Sequence, residues 1–123
     1  MVTPGHSGSY SARLGASSAF NGDSTITQTV SVPASARTLT FWYQPHCPDT
    51  LTYDQIQMRF KSTAGATLST PLNVCTNTGA WTTKTYTIPT SIRGTTVVLW
   101  FNVHDDGYPT DPTWALFDDI AIN

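Results

Sequence analysis

Apolar and polar residues alternate with a period of two over eight short stretches of this chain, and no stretch holds the 3.6-residue period of a helix. In DQIQMRF, Ile56, Met58 and Phe60 fall on one face, and Gln55, Gln57 and Arg59 on the other. STITQTVSV places Ile26, Val30 and Val32 together, with Gln28 interrupting the apolar set. YSARLG, RTLTFWYQ, ATLSTPLNV, WTTKTYTI, GTTVVLWFNV and TWALFDDIAIN read as further strands, and Pro71 makes ATLSTPLNV an edge or bent strand. Turn signals such as PASA, STAGA, CTNTGA and PTSIRG separate them. About eight short strands with such spacing predict an all-β fold, a two-sheet antiparallel β-sandwich of jelly-roll type. The length suits one domain, over residues 10–123, with residues 1–9 as a linker or N-terminal extension.

Two strands repeat one chemical pattern. In FWYQPH, alternation sets Trp42, Gln44 and His46 on one face; in WFNVH it sets Trp100, Asn102 and His104 on one face. If these strands and DQIQMRF share a sheet, one face gathers both indoles with Gln44, Gln55, Gln57, Arg59 and Asn102. Indoles stack on the C–H faces of sugar rings, while amides and guanidinium bond vicinal hydroxyls. The predicted ligand is therefore a polysaccharide or other glycan. It would be held by Trp42, Gln44, His46, Gln57, Arg59, Trp100, Asn102 and His104. Two exposed tryptophans side by side would favour this reading. Two buried ones would favour a structural or protein-interaction module with no sugar ligand.

Charged residues make up 11% of the chain and the net charge is −2, which argues against a nucleic-acid partner and an anionic membrane surface. No stretch is long enough to span a membrane. All 8 acidic residues are Asp. Asp49 and Asp54 lie in the loop CPDTLTYD, and Asp105, Asp106 and Asp111 in HDDGYPTDP; loops of this kind supply the short carboxylates that calcium takes. Asp118 and Asp119 sit inside a strand, with Asp118 on the face of Leu116, Ile120 and Ile122, where a carboxylate needs a partner. His46 and His104 with Asp105 offer a His–Asp pair and two imidazoles of the kind zinc takes, but no nucleophile elbow accompanies them, which argues against a hydrolase. The expectation is a non-catalytic domain.

Cys47 and Cys75 allow one pairing, and their polar, loop-like surroundings predict a disulfide that closes a loop of about 28 residues. A disulfide implies an oxidising compartment, hence secretion. The opening residues, MVTPGHSGSY, do not form a signal peptide, so the expectation is a domain cut from a larger secreted protein.

GSYSARLG, TITQTVSVP, LTFWYQ and LFDDIAI, in this order, resemble the galactose-binding-like jelly-roll superfamily, which includes many carbohydrate-binding modules. CPDTLTYD, CTNTGAW and HDDGYPTDPT resemble more narrowly a small accessory domain of secreted bacterial peptidases and other exoproteins. The resemblance implies a two-sheet sandwich, glycan binding, and a structural calcium near the last strand. On this chain that calcium would lie at Asp118 and Asp119 with Asn21, Asp23 and backbone carbonyls near Gly8 and Ser9. It also implies a parent secreted enzyme in the same chain, to which the module is appended.

Overall fold

A computed structural model describes all 123 residues. Eight strands form, one overlapping each predicted stretch: β1 Ala12–Gly15, β2 Asn21–Ser31, β3 Thr38–His46, β4 Gln55–Lys61, β5 Thr67–Val74, β6 Thr82–Thr87, β7 Thr96–Asp106 and β8 Trp114–Ile122; β2 begins and β7 ends three residues into segments expected to be loops. The chain has no helix, so none is long and apolar enough to cross a membrane. The strands make two four-stranded antiparallel sheets, a first in the order β1-β8-β3-β6 and a second in the order β2-β7-β4-β5. β5, with Pro71, is an edge strand as expected.

Alternation turns one side of most strands into the core; β2 contributes only the partly buried Val30, and Ile26, expected on the same face, is exposed. Leu39, Phe41 and Tyr43 of β3 meet Ala115 and Phe117 of β8 from the first sheet; Ile56, Met58 and Phe60 of β4 meet Val97, Leu99, Phe101 and Val103 of β7 from the second. Phe101 joins the two sheets, packing edge-on against Phe41 at 5.8 Å and Phe117 at 5.1 Å between ring centroids. Such aromatic contacts add to the area they bury.

Three features depart from the alternation or from its expected consequence. β3 pairs with β6 and β8, not with β4 or β7. The expected single face carrying both Trp42 and Trp100 therefore does not form: the two tryptophans lie on opposite outer faces of the sandwich. Asp119 has φ 51, and the β3–β8 register shifts between Thr40 and Trp42 opposite it. This bulge turns Ile122, opposite Leu39, toward the core, so Ile122 does not share the outward face of Asp118. Asp is one of the few non-glycine residues that tolerate this conformation. Finally, the N-terminal nine residues lie against the first sheet, with Val2 and Ser11 exchanging backbone hydrogen bonds of 2.8 Å.

Cys47 and Cys75 form a disulfide, with Cα atoms 5.1 Å apart, tying the end of β3 to the end of β5. The loops that follow β3 and β7 meet at this end of the sandwich.

Candidate functional site

The second sheet's outer face is built by register. Arg59, Trp100 and Thr27 stand abreast; so do Asn73, Gln57, Asn102 and Thr25; so do Gln55, His104 and Asp23. Asn102 is 1% exposed although it faces outward. Both ends of its amide are bonded: Thr25 Oγ1 donates to Oδ1 at 2.6 Å, and Nδ2 donates to Asp23 Oδ1 at 2.9 Å. Gln57 donates to Asn73 Oδ1 at 3.1 Å, and His104 Nδ1 lies 3.2 Å from Asp23 Oδ1. The row holds its amides in fixed orientations. Trp100 is half-buried, with the Arg59 guanidinium 5.0 Å and the Lys61 ammonium 3.9 Å from its ring centroid. Arg59 Nε is the one buried side-chain polar atom without a partner.

The first sheet's outer face has a different character. Trp42 is stacked under His6, ring centroids 3.8 Å apart, and Trp81 meets the same imidazole edge-on at 5.5 Å. His46 stacks on Trp114 at 3.6 Å and bonds Gln44 Oε1 at 2.8 Å, while Arg13 approaches Trp114 to 5.7 Å. Burial pushes the His46 pKa below its ordinary value. Of the eight predicted ligand residues, the structure thus brings Gln57, Arg59, Trp100, Asn102 and His104 together, and sets Trp42, Gln44 and His46 on the opposite face. The two tryptophans are neither exposed side by side nor sealed in the core.

At the loop end, one carboxylate oxygen each of Asp49, Asp54 and Asp106 lie within 4.8 Å of one another. Asp54 is fully buried; it accepts from Thr113 Oγ1 at 2.5 Å and from the Asp106 N–H at 2.9 Å. Burial raises its pKa, outweighing these two bonds, and the carboxylates of Asp105 and Asp106 push the same way. A cation would offset all of these unfavourable terms, so the donor set fits a hard divalent ion such as calcium. Asp111 lines the same shallow hollow with Tyr53 and Tyr108. Asp105 serves otherwise: it is buried and accepts from the N–H groups of Phe20, Gly107 and Thr113.

The donor set expected beside the last strand is not assembled. Asp118 Oδ2 accepts from the N–H groups of His6 and Ser7, and Asp119 is held by Ser7 Oγ at 2.5 Å and His6 Nδ1 at 2.6 Å. These bonds, Ser7 first, lower the Asp119 pKa. Asp23 belongs to the other sheet, where it binds Asn102 and His104. Sequence reading missed His6, Trp81 and Trp114. Trp114 was legible as the outward neighbour of Leu116 by alternation, whereas His6, in a glycine- and serine-rich stretch, carried no signal.

No family model matches the sequence, and no curated relative matches it. Solved structures do. A family 61 carbohydrate-binding module, TmCBM61, solved with β-1,4-galactotriose, superposes with a TM-score of 0.65 at 17% identity, over 96% of this chain and 72% of its own. The chain has the jelly-roll fold of carbohydrate-binding modules. A family 16 carbohydrate-binding module matches with a TM-score of 0.53 at 17% identity, over 96% of this chain and 79% of its own. The cleaved adhesin domain of Lys-gingipain from Porphyromonas gingivalis matches with a TM-score of 0.53 at 19% identity, over 85% of this chain and 64% of its own.

Proposed function

We propose that this domain is a non-catalytic glycan-binding module, appended to a secreted enzyme, and that its site is the outer face of the second sheet. The observation that carries this reading is the register-built row of Trp100, Arg59, Gln57, Asn102 and His104 on one sheet face. It sets one indole beside amides, a guanidinium and an imidazole whose neighbours are already bonded and oriented. A sugar ring would lie on Trp100, and its hydroxyls would meet Arg59, Gln57 and His104. The fold supports the reading, since two of the similar structures are carbohydrate-binding modules. The disulfide supports secretion. Calcium, on this reading, is structural: Asp49, Asp54 and Asp106 would hold it, with Asp111 near the same hollow.

The test is retention on polysaccharide gels together with tryptophan fluorescence, for the native chain and Trp100→Ala. Retention that Trp100→Ala abolishes in a folded domain is the expected result. Retention unchanged by it would remove the site from this face. A second reading, a protein-interaction or structural module with no sugar ligand, is favoured by one observation: Trp42 and Trp114 are each capped by a histidine of the chain itself. The absence of binding to any polysaccharide tested would favour that reading.

A further inference from the structure

The first sheet's outer face holds a notch that the site above does not use. Its floor is Trp42, on which the His6 imidazole lies nearly parallel, 16° between planes at 3.8 Å. Its wall is Trp81, edge-on to the same imidazole at 64°. Its rim is Asp118 and Asp119. Into this notch residues 5–8 place a flat ring surrounded by hydrogen-bond donors. The N–H groups of His6 and Ser7 donate to Asp118 Oδ2 at 2.9 and 3.3 Å, and Ser7 Oγ donates to Asp119 Oδ1. His6 Nδ1 lies 2.6 Å from Asp119 Oδ2.

What the notch accepts is therefore a ring with a face that stacks on indole and donors around its edge. A pyranose has the same description: axial C–H groups for the indole and hydroxyl donors for the two carboxylates. We propose that Trp42, Trp81, Asp118 and Asp119 form a second glycan-binding notch for a single pyranose residue, and that residues 5–8 are a strap that fills it until a glycan displaces them. The proposal goes beyond the reading of the second sheet, and its site shares no residue with that one.

The strap is built to leave. It belongs to no strand, His6 keeps 26% of its side chain exposed, and its bonds to Asp118 and Asp119 lie at the surface except the part-buried one from the His6 N–H. Gly8, at φ +66 in open space, bounds it on one side. On the other, Ser11 Oγ holds the Pro4 carbonyl at 2.8 Å and Val2 pairs with Ser11. Lifting residues 5–8 thus breaks no sheet pairing. A ligand that restores the stacking and the bonds to Asp118 and Asp119 replaces the strap at little net cost.

The experiment uses the full chain carrying Trp100→Ala, which silences the second-sheet site. In this background His6→Gly with Ser7→Ala opens the notch and leaves the Val2–Ser11 pairing in place. The probes are an array of β-1,3- and β-1,4-linked oligosaccharides of glucose, galactose, mannose and N-acetylglucosamine, with fluorescence titration of the hits. The opened variant is expected to bind at least one probe about tenfold more tightly than Trp100→Ala alone, and adding Trp42→Ala is expected to abolish the gain. No gain on any probe, or a gain that survives Trp42→Ala, overturns the proposal. Should the opened variant fold poorly, the Trp100→Ala chain itself answers. Its His6 ring protons, shifted by the indole beneath them, must move toward free-histidine positions as probe is added at high concentration. If they stay in place, the strap does not yield and the proposal fails. Failure of the second-sheet reading shows separately, as retention that Trp100→Ala leaves intact in the native chain.

Discussion

The two outer faces of the sandwich start from the same device, an indole, an amide and an imidazole at alternate positions of a strand, and become different surfaces. On β7 the neighbours are polar and in register, so Asn102 is locked by Thr25 and Asp23, and Trp100 receives two cations. On β3 the rings find stacking partners instead, one from outside the sheet and one in register on β8, so Trp42 lies under His6, and His46 lies on Trp114. A strand's own sequence decides which side chains point outward; the strands beside it decide what those side chains become.

The largest effect that would break this comparison is on binding. Trp100→Ala is expected to lower glycan retention by about ten- to a hundredfold, a loss of roughly 1.4–2.8 kcal/mol, with the melting temperature little changed. Trp42→Ala in the native chain is expected to leave retention unaltered, because the strap already covers that indole, and to cost about 1–2 kcal/mol of stability through lost burial. Affinity gels and thermal melts of the two variants check both halves. Equal losses of retention would mean that the faces are not functionally distinct.

The next effect is on stability, and again the faces differ. Asn102→Leu leaves Asp23 and Thr25 without their shared partner and is expected to cost about 1–3 kcal/mol in denaturant unfolding. Gln44→Leu on the other face, which loses one bond to His46, is expected to stay within about 0.5 kcal/mol of the native chain. A Gln44 variant as damaged as the Asn102 variant would show that the first face also depends on a polar row.

How far the sequence reaches follows from the same comparison. Alternation fixed the in-or-out sense of Ile56, Met58, Phe60, Trp100 and Asn102, because a half-buried strand has only two sides. It could not say that β3 joins β6 and β8, since any strand with an apolar face can join either sheet of a sandwich. The Asp119 bulge was equally invisible, as nothing local requires its positive φ until Ile122 must reach the core beside Leu39. The strap was hidden by composition: MVTPGHSGS has no apolar pattern, and residues 6 and 7 are held by two carboxylates more than 110 residues away. The gathering of Asp49, Asp54 and Asp106 was half legible, since both acidic loops were visible but not that they close over one point.

That point is where the ends of the two sheets are joined, and it gives a third prediction. The folded-state pKa of Asp54 is raised, so the fold favours its protonated form. The corresponding stability is fully present below the ordinary carboxylate value of about 3.9 and is lost as pH rises through the folded-state pKa. In EDTA at pH 7, Asp54→Asn is therefore expected to stabilise the domain, an advantage that fades toward pH 4. In calcium the order reverses, because the variant loses a ligand. At a free calcium concentration ten times its dissociation constant, the native chain gains about 1.4 kcal/mol. Melts of both proteins with EDTA and with calcium, at pH 7 and pH 4, read all four states; a native melting temperature indifferent to calcium would exclude the ion from Asp49, Asp54 and Asp106.

The smallest effect is the sharpest test of how Trp100 works. The Lys61 ammonium sits 3.9 Å from the indole centroid, in the space that a sugar ring would take. An exposed cation–π contact contributes about 0.5–1 kcal/mol, and a stacked sugar has to displace it. Removing the cation removes that competition. Lys61→Ala is therefore expected to raise glycan affinity by about two- to fivefold, while Arg59→Ala, which also removes hydrogen-bond donors from the row, lowers it. Opposite signs from two neighbouring cations over one indole would identify Trp100 as a stacking platform. If Lys61→Ala instead weakens binding, the ammonium is itself a ligand to the sugar, and the ring approaches the indole from another side.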